Sequence, residues 1–147
     1  MTADDLLNDL LVTLFQELLD IEEDALIVGE FSNLTMNDMH VIEAIGLEAP
    51  KKMNEIARLL SVTTGTLTKA MDGLERKGYV IRSRDTKDKR VVKAYLTEQG
   101  VRAYHHHAAF HSHMIEEIKE ELSEQELEVV VRALARVVRY FRHCEEE

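Results

Sequence analysis

The stretch Met53–Gly100 decides the fold and reads MNEIARLLSVTTGTLTKAMDGLERKGYVIRSRDTKDKRVVKAYLTEQG. It has the pattern of a helix, a tight turn, a second helix and two short strands around a charged tip. This order is typical of a winged helix-turn-helix, which places one helix in a DNA groove. The sequence therefore predicts a mainly α fold with a small β wing.

The helix pair is predicted from apolar spacing and from its ends. Ile56, Leu59 and Leu60 lie at i, i+3 and i+4, which predicts one buried face on the first helix. Thr63 is a favourable N-cap for the second helix, and Gly78 ends that helix as a C-terminal glycine. The buried face of the second helix is predicted to consist of Leu67, Ala70, Met71 and Leu74.

The other face of the second helix carries short hydroxyls, a glycine, a lysine and Asp72. Such a narrow face can enter a major groove and offer donors to phosphates and base edges. The alternative is an ordinary polar helix face in solvent. The predicted DNA contacts on this helix are Thr63, Thr64, Gly65, Thr66, Thr68 and Lys69.

The wing is predicted from two segments with strand-like alternation, Tyr79–Arg84 and Val91–Leu96. Between them lies the tip DTKDKR at residues 85–90, which suits phosphate or minor-groove contacts. A solvated, charged hairpin is the alternative interpretation. The predicted DNA contacts of the wing are Arg84, Lys87, Lys89 and Arg90.

The charge distribution favours DNA despite a net charge of −10. Residues 51–93 contain 12 basic and 5 acidic side chains, a local charge of +7. The remaining residues contain 6 basic and 23 acidic side chains, a charge of −17. Positive charge is thus concentrated where phosphates would be met, and the acidic remainder would repel DNA from other surfaces.

Long amphipathic helices flank the winged-helix region. One is predicted from Asp4 to about Gly29 and another from Leu34 to Gly46. Thr97 is expected to cap a long helix that reaches Leu122. The last helix begins with a capping box, Ser123 with Glu126, and carries a broad apolar face.

This organisation predicts a single domain over residues 1–147. Residues 34–97 form its winged-helix DNA-binding region, and residues 1–30 and 98–147 form a helical dimerisation region. A monomer of this size would struggle to cover the apolar faces of the terminal helices. Interleaving these helices in a homodimer would cover them.

The chain resembles the MarR family of bacterial transcriptional regulators. The resemblance rests on EIARLLSVTTGTLTKAMDGLERKGYV and RDTKDKRVVKAYLTEQG, above all on Asp88-x-Arg90 followed by Leu96-Thr97-x-x-Gly100. It implies an obligate homodimer on a pseudo-palindromic operator in double-stranded DNA. It also implies that the helix Thr63–Lys77 enters the major groove and that Arg90 lies near the minor groove.

Histidines on the helix after the wing form a second notable pattern. His107 and His111 are four residues apart, a spacing at which two imidazoles can bind one metal ion. The inward stripe of this helix is predicted to contain Val101, Tyr104, Ala108 and His111, while His105, His106 and His113 are predicted to be solvated. Resemblance to the zinc-responsive branch of the family implies metal ligands at His40, His107 and His111, with a carboxylate from Glu22 or Glu23.

Two other interpretations of the histidines stay open at this point. They can be hydrogen-bonded residues lining a pocket, or they can sense pH or an acyl ligand. The segments DIEEDALI, NDMHVIEAIG and DKRVVKAYLT are similar in sequence to those of the fatty-acid-synthesis repressors of Gram-positive bacteria, the FabT-like branch. That resemblance implies long-chain acyl groups on acyl carrier protein as the effector.

An acyl effector would need an apolar cavity. Candidates for its lining are Phe15, Leu19, Phe31, Met36, Met39, Phe110 and Met114. Methionine and phenylalanine at helical spacing more often belong to an ordinary core, which is the alternative.

The remaining features restrict the class of protein. The single cysteine, Cys144, cannot form an internal disulfide, and no targeting or membrane-spanning segment is evident, so a cytoplasmic location without a membrane partner is expected. No HExxH or comparable catalytic motif occurs, which disfavours the alternative of a metal-dependent enzyme. The sequence therefore predicts a DNA-binding repressor rather than an enzyme, with no required cofactor; control of fatty-acid-synthesis genes and zinc-dependent metal homeostasis are the two alternatives for its regulation.

Overall fold

The computed structural model describes residues 1–48 and 50–144. Residue 49, inside the predicted region 34–97, and residues 145–147, at the end of the predicted region 98–147, lie outside the described residues. In chain order the elements are α1 Ala3–Leu26, a 3₁₀ turn Gly29–Phe31, α2 Met36–Ile45, β1 Lys51–Lys52, α3 Met53–Leu60, α4 Thr64–Lys77, β2 Val80–Arg84, β3 Val92–Leu96, α5 Glu98–Glu121 and α6 Glu124–Cys144.

The fold is mainly helical with one small antiparallel sheet, as the sequence predicts. The strand order is β1-β3-β2, and Val80 pairs with Leu96 at the base of the wing. Strand β1 was not predicted; Lys51 pairs with Ala94. A strand of two residues is too short to show a periodicity, so only its pairing with β3 reveals it.

Side-chain caps fix several helix ends at or near their predicted positions. Thr35 caps α2, because its hydroxyl accepts a hydrogen bond from the Asp38 N–H at 3.1 Å and the Asp38 carboxylate accepts one from the Thr35 N–H at 3.0 Å. Helix α2 therefore begins at Met36 and not at Leu34. The Ser123–Glu126 capping box at the start of α6 is also present.

Helix α1 ends at Leu26, earlier than the predicted end near Gly29. Gly29 has a φ of +58° and begins the 3₁₀ turn, so it cannot continue the helix. The Thr97 cap on α5 is confirmed, since its hydroxyl accepts from the Gly100 N–H at 3.1 Å.

The chain divides into two compact units, residues 1–110 and 111–147, and α5 runs from the first into the second. The core of the first unit is built from α1, the segment after it, α2, α3, α4, the wing and the first half of α5. Its fully buried side chains include Leu26, Met39, Ile42, Ile56, Leu67, Met71, Leu74 and Tyr79.

Two predicted apolar faces are corrected by the burial. Leu59 is 63% exposed, because the buried face of α3 is formed by Ile56 and Ala57 and Leu59 points away from it. On α5 the buried residues are Gly100, Ala103 and His107, so the inward stripe is rotated from the predicted one.

The second unit contains the end of α5 and all of α6. Among its described residues α6 has no buried side chain, although it carries a continuous apolar face that includes Leu134, Val138 and Phe141. Over the described part of the chain, no helix is long and apolar enough to cross a membrane.

Candidate nucleic-acid interface

Helix α4 presents its polar face to solvent because its apolar residues anchor it to the core. Leu67, Met71 and Leu74 are buried. The residues predicted to contact DNA from this helix and its cap are all exposed: Thr63, Thr64, Gly65, Thr66, Thr68 and Lys69. The buried and exposed faces of α4 are therefore the ones that the sequence predicted.

The hydroxyls at the start of α4 are held by local hydrogen bonds. The Thr63 hydroxyl accepts from the Thr66 N–H at 3.1 Å and lies 3.0 Å from the Thr66 hydroxyl. The Thr68 hydroxyl donates to the Thr64 carbonyl at 2.8 Å. These bonds orient the hydroxyls, and each retains acceptor capacity for a donor on DNA.

The wing tip presents arginines in defined positions. Arg90 donates to both carboxylate oxygens of Asp88, at 3.1 and 3.2 Å, and its side chain is nevertheless 91% exposed. These hydrogen bonds lower the pKa of the Asp88 carboxyl. Arg84 donates a hydrogen bond to the Lys89 carbonyl at 2.9 Å, and this bond joins the end of β2 to the far side of the hairpin tip.

An open cleft of about 520 Å³ separates the helix pair from the wing. Its polar lining combines predicted residues with three that sequence reasoning missed: Lys52, Asn54 and Arg82. The adjacent basic pair Lys51–Lys52 was a usable signal for the first of these. The cleft is basic and lies between the two predicted DNA-reading elements.

The C-terminal end of α4 is tied to neighbouring elements. Lys77 Nζ lies 2.8 Å from a carboxylate oxygen of Asp38 on α2. The Tyr79 hydroxyl donates to the Glu30 carbonyl at 3.1 Å and lies 2.9 Å from the side-chain oxygen of Asn33. Burial raises the pKa of this phenol. These contacts hold the C-terminal end of α4, the helix predicted to read the major groove and hereafter called the reading helix, against α2 and the segment after α1.

A buried histidine lies away from the DNA face, between carboxylates of two helices. His107 on α5 is buried, and its Nε2 lies 3.2 Å from Glu22 Oε1 on α1. Its Nδ1 lies 3.5 Å from Glu43 Oε2 on α2. The ring of His40, which is exposed, lies 6.4 Å from the His107 ring. Of the two predicted carboxylates, Glu22 is the buried one and Glu23 is exposed.

The other histidines differ in their surroundings. His106 was predicted to be solvated but is partly buried, because its Nε2 lies 3.1 Å from the Ala25 carbonyl and its ring stacks on Phe31 at 5.0 Å. His105 and His113 are exposed as predicted. His111 follows His107 by one turn of α5 and is partly buried.

The predicted acyl-pocket residues have unequal environments. Phe31 and Met39 are buried in the core, whereas Phe15 and Leu19 are exposed on α1. Met36, Phe110 and Met114 are partly buried. The acyl pocket stays a prediction.

A helix-turn-helix whose second helix exposes a polar face, followed by an arginine-tipped hairpin, defines a winged-helix DNA-binding protein. The model of the MarR family matches residues 34–92. The transcriptional regulator SarZ of Staphylococcus haemolyticus is 31% identical over 106 residues, which cover 72% of this chain and 71% of SarZ. The chain therefore belongs to the MarR family, and the relatives that it matches are transcriptional regulators and not enzymes.

Solved structures are similar over nearly the whole chain. Streptococcus pneumoniae FabT in complex with DNA has a TM-score of 0.89 and 33% identity, and the match covers 95% of this chain and 98% of FabT. Among the curated relatives, the transcriptional regulator YkoM of Bacillus subtilis is 40% identical over 60 residues, which are 41% of this chain. The chain spans only part of the length of three such relatives from Bacillus subtilis: 39% of YkoM, 52% of YpoP and 64% of MdtR.

Proposed function

We propose that the protein is a homodimeric transcriptional repressor that binds a pseudo-palindromic operator. Helix α4 inserts into the major groove, and Arg84, Lys87, Lys89 and Arg90 contact the minor groove or phosphates. The observation that carries this proposal is the exposed face of α4, with its short hydroxyls and Lys69, beside a basic cleft and a wing tip that presents Arg90. The likeness to FabT, whose structure contains DNA, supports it.

Dimerisation is supported by apolar surface at both ends of the chain. Helix α1 exposes Leu7, Leu10, Leu14 and Phe15, and α6 exposes Leu134, Val138 and Phe141. On each helix these side chains share one face, and an exposed row of large apolar side chains is typical of an interaction site. We assign residues 1–30 and 98–147 to a dimerisation region and residues 34–97 to DNA binding.

Regulation follows from the spacing of two reading helices in such a dimer. Only one separation fits successive major grooves about 34 Å apart, so an effector that favours another separation weakens binding. The finer proposal is that an acyl group, free or on acyl carrier protein, is this effector and that the regulated genes serve fatty-acid synthesis. The likeness to FabT supports this branch of the family.

The DNA surface can be tested with Lys69→Ala and Arg90→Ala. Each variant is expected to weaken binding to a duplex selected from a random library by about 1–3 kcal/mol, because each removes an exposed cationic donor. Gel shifts at moderate salt measure the affinity, and size-exclusion chromatography measures the oligomeric state, which should not change. Wild-type affinity in both variants would contradict the assigned surface.

The effector can be identified by mass spectrometry of the protein purified under native conditions. We expect a bound acyl species, and DNA binding that changes when a long-chain acyl group is added to stripped protein. An acyl-free protein whose DNA affinity does not respond to acyl groups would exclude this effector.

A zinc-dependent repressor is the second candidate, and the surroundings of His107 favour it. A metal-bound histidine commonly has one ring nitrogen on the ion and the other bonded to a carboxylate. Both nitrogens of His107 face carboxylates, Glu22 and Glu43, so the residues present fit such a site. Zinc would supply a cross-link between α1 and α5, with His107 and Glu22 holding it and His40 and His111 as further predicted ligands.

The zinc alternative predicts one metal ion per protomer. Either His107→Ala or His111→Ala is expected to lower zinc affinity about tenfold or more. His105→Ala, which changes an exposed histidine on the same helix, is the matched control and should bind zinc like wild type. Equal zinc binding by all these proteins, measured by competition with a chelating dye, would remove this candidate.

A further inference from the structure

Arg82 lies on strand β2 of the wing and reaches across to the reading helix. Its Nη2 lies 2.6 Å from Asp72 Oδ1 and its Nε lies 3.0 Å from Glu75 Oε2, both on α4. The Arg82 backbone N–H also donates to Glu75 Oε2 at 3.2 Å. One arginine therefore makes three hydrogen bonds that join the wing to the reading helix. We call this group the wing clamp.

The wing clamp differs from the other basic residues of the DNA-binding face. The Arg82 side chain is only 21% exposed, and two carboxylates offset its charge. Arg90, by contrast, pairs with a residue of its own hairpin and remains largely exposed. Hydrogen bonding to Arg82 lowers the pKa of Glu75, and the same bonds raise the pKa of Arg82, so both groups are charged at neutral pH.

The wing clamp lies where it can restrict movement of the wing tip. Arg82 pairs with Ala94 in the centre of the β2–β3 ladder, whereas Val80, at the base of the strand, is buried. Beyond Arg82, only Ser83 and Arg84 remain before the tip that begins at Asp85. The bonds to α4 thus hold the hairpin between its anchored base and its DNA-contacting end.

We propose that Arg82 is a positioning residue that sets the placement of the wing relative to helix α4 and thereby the sequence specificity of DNA binding, without itself contacting a phosphate. The inference rests on the proposed DNA-binding function. Sequence-specific binding requires α4 and the wing to contact the same duplex at one fixed separation. Nonspecific binding through phosphates does not depend on that separation, so a wing that moves relative to α4 weakens it less.

The first test needs no DNA. Amide hydrogen exchange is measured over residues 83–91 in the full chain, comparing wild type with Arg82→Gln and with the double variant Asp72→Asn/Glu75→Gln. Arg82→Gln removes the guanidinium bonds of the clamp and the double variant removes its carboxylates, so both should exchange faster in the wing. Arg58→Gln, which removes an exposed cation from α3 outside the clamp and outside the measured segment, is the control and should leave exchange unchanged. Unaltered wing exchange in both clamp variants would overturn the inference, whatever the protein does with DNA.

The second test uses a duplex selected by the wild-type protein and a scrambled duplex of the same composition. Arg82→Gln is expected to lose roughly three- to tenfold in affinity for the selected duplex, the effect of up to two ion pairs of this exposure. Its affinity for the scrambled duplex and its salt dependence should stay near wild type. Arg90→Ala should instead lower the slope of log affinity against log salt by about 0.9.

The double variant separates positioning from charge. Asp72→Asn/Glu75→Gln removes two negative charges and should bind scrambled DNA more tightly, yet its preference for the selected duplex should fall as in Arg82→Gln. If Arg82→Gln lowers the salt slope by about 0.9 and weakens both duplexes equally, Arg82 is a phosphate contact and the inference fails. If the wild type prefers neither duplex, the proposed function fails, and the hydrogen-exchange result still decides whether the clamp exists.

Discussion

Gly100→Ala is expected to lower the free energy of unfolding by about 3 kcal/mol. A β carbon at this position of α5 would overlap the carbonyl oxygen of Tyr79 and approach the Leu96 β carbon to 3.1 Å. The carbonyl cannot move away cheaply, because it accepts a hydrogen bond from the Thr97 N–H at 3.0 Å. The Thr97 hydroxyl also donates to the Gly78 carbonyl at 2.6 Å, which fixes the same turn.

Gly73→Ala is the matched control for this prediction. Gly73 also lies inside a helix, but the nearest atom to an added β carbon is the flexible end of Arg76 at 3.9 Å. The alanine should therefore stabilise the protein by up to about 1 kcal/mol through helix propensity. Urea unfolding at one fixed protein concentration measures both variants. A Gly100→Ala protein as stable as wild type would show that α5 does not pack on Tyr79 as closely as described.

Leu134→Glu combined with Val138→Glu is expected to give a monomer that binds operator DNA about a hundredfold or more weakly. Both residues lie on the exposed apolar face of α6, where we place the dimer contact. Two linked DNA-binding regions bind a two-part operator roughly 10²–10⁴ times more tightly than one region does, and a monomer loses this gain. Analytical ultracentrifugation measures the oligomeric state, and fluorescence anisotropy with the selected duplex measures the affinity.

Arg136→Glu provides a control that matches the change in net charge. It lowers the charge by two, as the double variant does, and it lies on the same helix about 200° from Leu134. We expect it to remain dimeric and to bind DNA much as wild type does. If it dissociates equally, charge on α6 and not its apolar face controls assembly. A dimeric Leu134→Glu/Val138→Glu protein would place the interface elsewhere.

Much of the DNA-binding region could be predicted because its signals are local. The Thr63 cap acts on a residue three positions away, and Gly78 at φ +87° ends α4 within one turn. The apolar spacing of α4 predicted which face is buried, and it was right for Leu67, Met71 and Leu74. The same kind of spacing was wrong for Leu59, because a short helix offers too few apolar residues to fix the centre of its buried face.

The sequence by itself determined the winged-helix order, the N-terminal caps of α2, α4, α5 and α6, and the polar face of α4, since each depends on residues close together in the chain. Only the tertiary structure decided that Glu22 and Glu43 meet His107, that Lys51–Lys52 adds a strand, and that Arg82 is held by Asp72 and Glu75. Glu22 and His107 are 85 residues apart. No local pattern encodes such a contact, because it forms only when the packing of the core brings distant helices together.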